Sequence, residues 1–236
     1  MDLKGIETTW LGHATFRFRT GDGTTVIIDP WLGGNPACPE AEHTQSRVDA
    51  IFITHGHFDH MADAEPLARA HAATVYAIHE IAVYLESQGV GTVVGLNKGG
   101  TVSGPGGITG TMVDAVHSGG ISGPEGIIPG GTPAGWVLGF PGGLRIYHAG
   151  DTAVFGDMAL IGELFTPEVA LLPIGGHYVM DPRQAAHAAR LLGVSAVIPM
   201  HYGTFPILAG TPDELTAALD GSGIEVIGLE VGVPAR

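Results

Sequence analysis

Short apolar runs separated by glycine-rich turns dominate the hydrophobic pattern of this 236-residue chain. Residues 6–20 are rich in β-branched and aromatic types, and residues 16–19 alternate apolar and charged side chains. A turn at residues 21–23 separates this region from the apolar run 26–28. Further β-like runs cover residues 48–54, 74–78, parts of 90–116, 136–140, 144–148, 169–172, 196–200 and 224–227. Runs of this length and composition predict strands.

Four segments between these runs are rich in helix formers. Helices are predicted over residues 62–72, over residues 79–87 with a stop at Gly89, and over residues 181–192. Asp181 is suited to cap the third helix, with Pro182 in its first turn. A last helix opens at Thr211, where residues 211–214 have the spacing of a capping box. Residues 118–133, rich in glycine and proline, predict an exposed irregular loop beside a site.

Composition and charge restrict the class of protein. The chain is 44% hydrophobic and 14% charged, which is typical of a globular domain, and its length suits a single domain. A net charge of −14 argues against a general nucleic-acid binder, although bound cations would leave a small anionic substrate compatible. The single Cys38 excludes an internal disulfide. Without an apolar leader or membrane-length run, we expect a cytoplasmic protein without a membrane span.

Residues 54–61, Thr-His-Gly-His-Phe-Asp-His-Met, concentrate four candidate metal ligands. Imidazole and carboxylate groups suit Zn²⁺ and other first-row divalent ions. In an extended segment His55, His57 and Asp59 would share one face and His60 would point elsewhere. The run could therefore serve two ions.

Three more candidate ligands follow apolar runs later in the chain. His117, Asp151 and His201 each lie at or just beyond a predicted strand end. Strand ends held by a rigid sheet can bring distant ligands to one centre without distorting the core. We therefore expect them to join the histidine run.

In ligand type and order the sequence resembles the metallo-β-lactamase superfamily over nearly its whole length. Within it, the chain is similar to a branch with L-ascorbate-6-phosphate lactonase-like proteins and predicted metal-dependent hydrolases. The motifs that carry this similarity lie at residues 10–15, 28–30, 147–152, 172–176 and 198–206. The resemblance implies an α+β fold, a four-layer αββα sandwich in which residues 1–236 form one hydrolase domain. It also implies a two-metal site at one edge.

Residue by residue, the resemblance implies that two divalent ions share one site. One ion would be held by His55, His57 and His117. The other would be held by Asp59, His60 and His201, with Asp151 bridging both. Zinc is the first expectation, and manganese, iron, cobalt and nickel also suit such donors. A metal-bound hydroxide would be the nucleophile, with Asp59 orienting it or protonating a leaving group.

Four other residues are candidates for the same site. His177 follows a predicted strand end and is a candidate catalytic proton donor or substrate contact. His13, in the Gly-His-Ala-Thr motif, is a candidate to face the site without binding metal. Asp29 could fix the tautomer of a ligand histidine, and Tyr202 could contact substrate.

The resulting hypothesis is a dinuclear metal-dependent hydrolase that cleaves a lactone, a carboxylic ester or a phosphodiester in a small molecule. Homo-oligomerisation is left open. The alternatives are an iron-dependent redox enzyme on the same fold and a non-catalytic metal-binding protein.

Overall fold

The first six strands form one mixed sheet in the computed structural model, which describes residues 3–236. Their bounds are β1 Glu7–Trp10, β2 Phe16–Arg19, β3 Thr25–Ile28, β4 Ala50–Phe52, β5 Thr74–Ile78 and β6 Val93–Leu96. Strands β1 to β3 pair antiparallel, and β3 to β6 pair parallel, in chain order. It follows that β1, β3 and β4 run in the same direction.

Seven later strands form a second mixed sheet. Their bounds are β7 Thr101–Ser103, β8 Thr109–Asp114, β11 Ala134–Gly139, β12 Arg145–His148, β13 Val169–Pro173, β14 Ala196–Met200 and β15 Glu225–Val226. Within the sheet they lie in the order β15-β14-β13-β12-β11-β8-β7. Strands β7, β8, β11 and β12 pair antiparallel, and β12 to β15 pair parallel. Strands β8, β12 and β14 therefore share one direction.

Aromatic side chains join the inner faces of the two sheets. The Phe52 ring meets the Trp136 ring edge-on with centroids 4.9 Å apart, and Phe18 packs on Phe140 at 5.3 Å. The indole nitrogen of Trp136 also donates to the Ile53 carbonyl oxygen at 3.0 Å. Burying such rings between sheets supplies much of the hydrophobic stabilisation of a sandwich.

Helices cover both outer faces, so the predicted four-layer αββα arrangement is confirmed. Their bounds are α1 Phe58–Met61, α2 Ala64–His71, α3 His79–Ser87, α4 Met158–Phe165, α5 Pro182–Leu192 and α6 Pro212–Ala218. Helices α2 and α3 pack on the first sheet, α5 packs on β13, and α4 and α6 flank α5. Asp181 caps α5 and a capping box at Thr211 begins α6, as the sequence predicts; the Asp181 cap is also a capping box, with Gln184.

Two local expectations were wrong. The predicted first strand is two strands, since a tight turn over residues 11–15 reverses the chain. Residues 118–133 are not wholly irregular: strands β9 Ile121–Gly123 and β10 Gly126–Ile128 form a separate hairpin. Three-residue strands are too short to produce a periodic signal. Within residues 3–236, no helix combines the length and apolarity needed to cross a membrane.

Candidate metal centre

Six strand ends deliver the candidate site residues to one edge of the sandwich. In the first sheet, β1 leads to His13, β3 to Asp29 and β4 to the histidine run. In the second sheet, β8, β12 and β14 lead to His117, Asp151 and His201. Strands of common direction end at the same edge of their sheet, which explains why residues far apart in the chain meet here.

Unusual backbone conformations are concentrated at these strand ends. His13, Asp29 and His201 have φ values of 54°, 50° and 54°, in the left-handed region that residues other than glycine seldom adopt. The amide of His201 donates to the His13 carbonyl at 2.9 Å, so the two sheets are tied together where both turns are strained. Such strain is retained when surrounding contacts hold it, and it is common at functional sites.

A first cluster consists of His55, His57, His117 and Asp151, which each offer a donor atom within 4.8 Å of the others. The His55 Nε2 and His57 Nδ1 atoms are 2.9 Å apart, and His117 Nε2 lies 3.5 Å from Asp151 Oδ2. His55 and Asp151 are buried, whereas His57 and His117 are partly open to solvent. This cluster therefore has one open side.

A second cluster consists of His13, Asp59, His60 and His201, with donor atoms again within 4.8 Å of one another. Asp151 reaches it from the first cluster: its Oδ1 lies 3.2 Å from His60 Nε2, and its Oδ2 lies 3.0 Å from His201 Nε2. The expectation that Asp59 shares a face with His55 and His57 was wrong. Helix α1 turns the chain after His57 and carries Asp59 to the side of His60.

Buried hydrogen bonds orient the second cluster. Asp29 accepts from the Thr54 amide at 2.8 Å and the Thr54 hydroxyl at 2.7 Å, and it accepts the Nδ1 proton of His60 at 2.8 Å. This hydrogen bond fixes the orientation of the His60 ring, so that its Nε2 points toward Asp151. Asp29 is thus placed as the sequence predicts for a residue that fixes a ligand histidine.

His13 contacts Asp59, and both residues line a pocket that lies above the two clusters. Its Nε2 is 3.0 Å from Asp59 Oδ2, and its Nδ1 is 3.0 Å from the Thr204 hydroxyl. Burial lowers the pKa of His13 to about 4, so the ring is neutral at pH 7 and carries one proton. With Nε2 donating to Asp59, Nδ1 accepts from Thr204.

The electrostatics of the centre favour a bound cation. Burial lowers the pKa of His55 well below its ordinary value, which keeps the ring neutral with one nitrogen lone pair free for a metal. Burial also opposes charging of His60, but the carboxylates of Asp151 and Asp29 outweigh it and raise the His60 pKa well above the usual range. Asp151 itself is held ionised: burial raises its pKa, and His201 and His60 lower it further than that.

Several buried nitrogen and oxygen atoms at the centre lie close to one another without the geometry of a hydrogen bond. They are His60 Nε2, Asp151 Oδ1 and both ring nitrogens of His201. Leaving such atoms unpaired in the interior is costly, and native proteins pair nearly all of them. Converging imidazole and carboxylate donors are the groups that divalent transition ions bind, so these side chains fit a metal site.

Two candidates do not reach the clusters. His177 is exposed, with its ring 4.4 Å from that of Tyr178, and it is not among the residues that line the pocket. Tyr202 stacks on Trp10 with ring centroids 5.2 Å apart and is also absent from the pocket lining. Each follows a strand end within four residues, but the local turns direct both side chains away from the clusters.

The pocket above the clusters has a volume of about 510 Å³. Sequence reasoning missed its apolar walls, to which Phe58, Phe205 and Ile207 contribute. The sequence signal for an apolar wall was Phe58, an apolar residue between the candidate ligands His57 and Asp59. Ser118 and Ser122 also line the pocket, so the segment 118–133 does lie beside the site.

Known proteins are similar to this chain over nearly their full length. The profile of the beta-lactamase superfamily domain matches residues 24–202. A UPF0173 metal-dependent hydrolase of Koribacter versatilis is 54% identical over 215 residues, covering 91% of this chain and 92% of the relative. One of Rubrobacter xylanophilus is 53% identical over 225 residues, covering 95% and 93%. Among solved structures, Igni18, a novel metallo hydrolase from Ignicoccus hospitalis, has a TM-score of 0.86 and 36% identity, covering 98% of this chain and 97% of that one.

Proposed function

Since this chain belongs to the UPF0173 metal-dependent hydrolases of the beta-lactamase superfamily, we propose that it is a dinuclear enzyme that cleaves a small ester-like bond. The bond is a lactone, a carboxylic ester or a phosphodiester. One observation carries the proposal: the buried Asp151 belongs to the first cluster and also lies within 3.2 Å of His60 and 3.0 Å of His201. A carboxylate in that position suits two ions.

The proposed ligands follow the two clusters. His55, His57 and His117 hold one ion, and Asp59, His60 and His201 hold the other. Asp151 would be shared by the two ions, since its Oδ2 lies 3.0 Å from His201 Nε2 and 3.5 Å from His117 Nε2. Zinc is the first choice, and manganese, iron, cobalt or nickel would suit the same donors. Two bound divalent ions supply activation of water and stabilisation of the developing anion.

We assign His13 a positioning role rather than a ligand role. Its Nε2 hydrogen bond to Asp59 Oδ2 occupies the nitrogen nearest the cluster, and Thr204 occupies the other. His13 thereby fixes the orientation of Asp59. Asp59, partly exposed to the pocket, is the proposed residue that orients the attacking water or passes its proton to the leaving group.

The small-molecule substrate and the domain organisation are parts of the same proposal. A pocket of about 510 Å³ has the size of ordinary small-ligand sites. Buried apolar residues from both sheets form one continuous core cluster. This supports one hydrolase domain over residues 1–236.

The test combines metal analysis with turnover. Protein loaded with zinc or manganese is expected to contain two ions per chain and to hydrolyse a lactone or a phosphodiester under anaerobic conditions. Asp59→Asn is expected to reduce turnover greatly while leaving thermal unfolding nearly unchanged. At most one ion per chain would contradict the bridging role of Asp151. Turnover of neither substrate class, or oxygen uptake by the iron-loaded protein instead, would overturn the hydrolase assignment.

A further inference from the structure

The pocket above the clusters has walls of a different chemistry from its floor. The candidate metal ligands form the floor, and the walls carry five large apolar or aromatic side chains: Phe58, Tyr178, Phe205, Ile207 and Leu208. Two serines, Ser118 and Ser122, complete the lining on the hairpin side. Within residues 3–236, no Lys or Arg lines this pocket.

The apolar walls remain open to solvent in part. Phe58 is 53% exposed, Tyr178 61% and Ile207 47%. Single exposed apolar residues are ordinary, but several around one pocket mark a surface that a ligand covers. Three separate segments supply them, namely the start of α1, the turn after β13 and the turn after β14. Their convergence therefore belongs to the tertiary structure.

Part of this wall is rigid before any ligand arrives. The buried Trp31 ring contacts the Phe58 ring edge-on at 5.5 Å and the Phe205 ring at 6.0 Å. The turn that carries Phe205 and Leu208 is closed by backbone hydrogen bonds, from Leu208 to Phe205 at 2.9 Å and from Gly203 to Leu208 at 3.0 Å. A preorganised wall loses little entropy when it binds a ligand.

The charge pattern of the pocket disfavours a substrate with a phosphate away from the reacting bond. A phosphate monoester carries about −1.5 to −2 charges at pH 7 and is normally bound by Arg, Lys or a cluster of backbone amides. The ions at the floor would serve the reacting group itself. Those ions would offset the charge of Asp59 and Asp151, but no Lys or Arg within residues 3–236 lines the pocket to bind a second anionic group.

We propose that the pocket binds the uncharged, apolar acyl chain of a carboxylic ester or lactone, and that Phe58, Phe205 and Ile207 set the preference for chain length. This proposal rests on the hydrolase function proposed above and names its substrate class. In the reaction the oxygen of water bonds to the carbonyl carbon, the bond from that carbon to the ester oxygen breaks, and a proton of the same water passes to the released alkoxide. An ester gives a carboxylic acid and an alcohol, and a lactone gives one hydroxy acid, so no redox partner is required.

The first experiment compares acyl chain lengths on the metal-loaded protein. We expect kcat/KM for p-nitrophenyl esters to rise about fourfold for each methylene between acetyl and hexanoyl, because burying one methylene contributes about 0.8 kcal/mol. Ile207→Ala and Phe58→Ala should flatten this dependence. Leu164→Ala is the matched control, since Leu164 is 70% exposed on α4, outside the pocket lining, and should leave the dependence unchanged.

Two further measurements separate failure of this proposal from failure of the hydrolase function. Methyl ketones of increasing chain length cannot be hydrolysed, and calorimetric titration should show their affinity rising with length, less steeply in Ile207→Ala. Ile207→Lys should shift preference about two- to fivefold toward an ester whose acyl chain ends in a carboxylate.

A flat chain-length profile in active wild-type protein would overturn the acyl-chain proposal alone, as would a preference for a phosphorylated lactone over its uncharged counterpart. If ketone affinity depends on chain length but no ester or diester is hydrolysed, binding of an apolar chain is supported and the hydrolase function is overturned.

Discussion

The two candidate metal clusters use the same residue types, but their surroundings differ. In the second cluster His60 and His201 are buried, and Asp29 holds His60 through a network anchored on Thr54. In the first cluster His57 and His117 are partly exposed, and the Ser118 hydroxyl, itself on the surface, lies 3.3 Å from His57 Nε2. The second cluster is held by buried hydrogen bonds and the first is more exposed, although residues of both line the pocket.

This difference predicts unequal metal affinity at two chemically similar sites. Buried partners restrict ring rotation and raise the cost of losing an ion, because the freed donors would remain unpaired in the interior. Partly exposed histidines can exchange an ion or a substrate atom with solvent at lower cost. We therefore expect the second position to hold its ion more firmly and the first to exchange its ion more readily.

The largest effect is expected for Asp151→Ala, which removes the residue common to both clusters. Metal content should fall to at most one ion per chain, and kcat/KM should fall by at least ~10³-fold, beyond the 10- to 100-fold typical of supporting residues. Elemental analysis and ester hydrolysis measure the two quantities. Asp220→Ala, on the exposed segment after α6, is the control. Retention of two ions would remove the basis for a shared ligand.

A smaller and more selective loss is expected for Asp29→Asn. The amide can no longer accept from both Thr54 and His60 as a carboxylate does, so the second ion should bind about 10- to 100-fold more weakly. Competition with a metal-binding dye would resolve the two affinities. Equal weakening of both ions would contradict the difference between the clusters.

For His13→Gln we expect about a tenfold fall in kcat with both ions retained, because the variant disturbs the orientation of Asp59 rather than a metal ligand. The matched control is His148→Gln. His148 is also buried, but it bonds to the Ala14 carbonyl and the Gly150 amide instead of a cluster. That variant should lower thermal stability and keep kcat. Loss of one ion in His13→Gln would make His13 a ligand.

The smallest effect is expected for Ser118→Ala. Ser118 is exposed, so water can replace its hydroxyl beside His57, and kcat/KM should stay within about twofold of wild type. The same ester assay and metal analysis apply. An effect as large as that of Asp29→Asn would show that the first cluster is supported as firmly as the second.

Local sequence signals were sufficient for much of the fold. Helix α3 begins and ends where predicted. Helix α5 begins at its predicted cap, Asp181, and α6 at its predicted capping box, because capping is a short-range interaction. The hairpin at residues 121–128 was not predictable, since its short strands depend on pairing with each other. The predicted cytoplasmic location and metal identity stay predictions.

The sequence by itself determined which donor types are present and that they follow strand ends, because apolar runs and the polar residues after them are local patterns. Only the tertiary structure decided how those donors group. Asp59 is separated from His55 and His57 because helix α1 begins after His57, and Asp151 meets both clusters because strands of the two sheets end at one edge. The same long-range packing placed Tyr178 at the pocket wall and His177 outside it. Such packing depends on contacts between residues distant in the chain, which local sequence patterns do not predict.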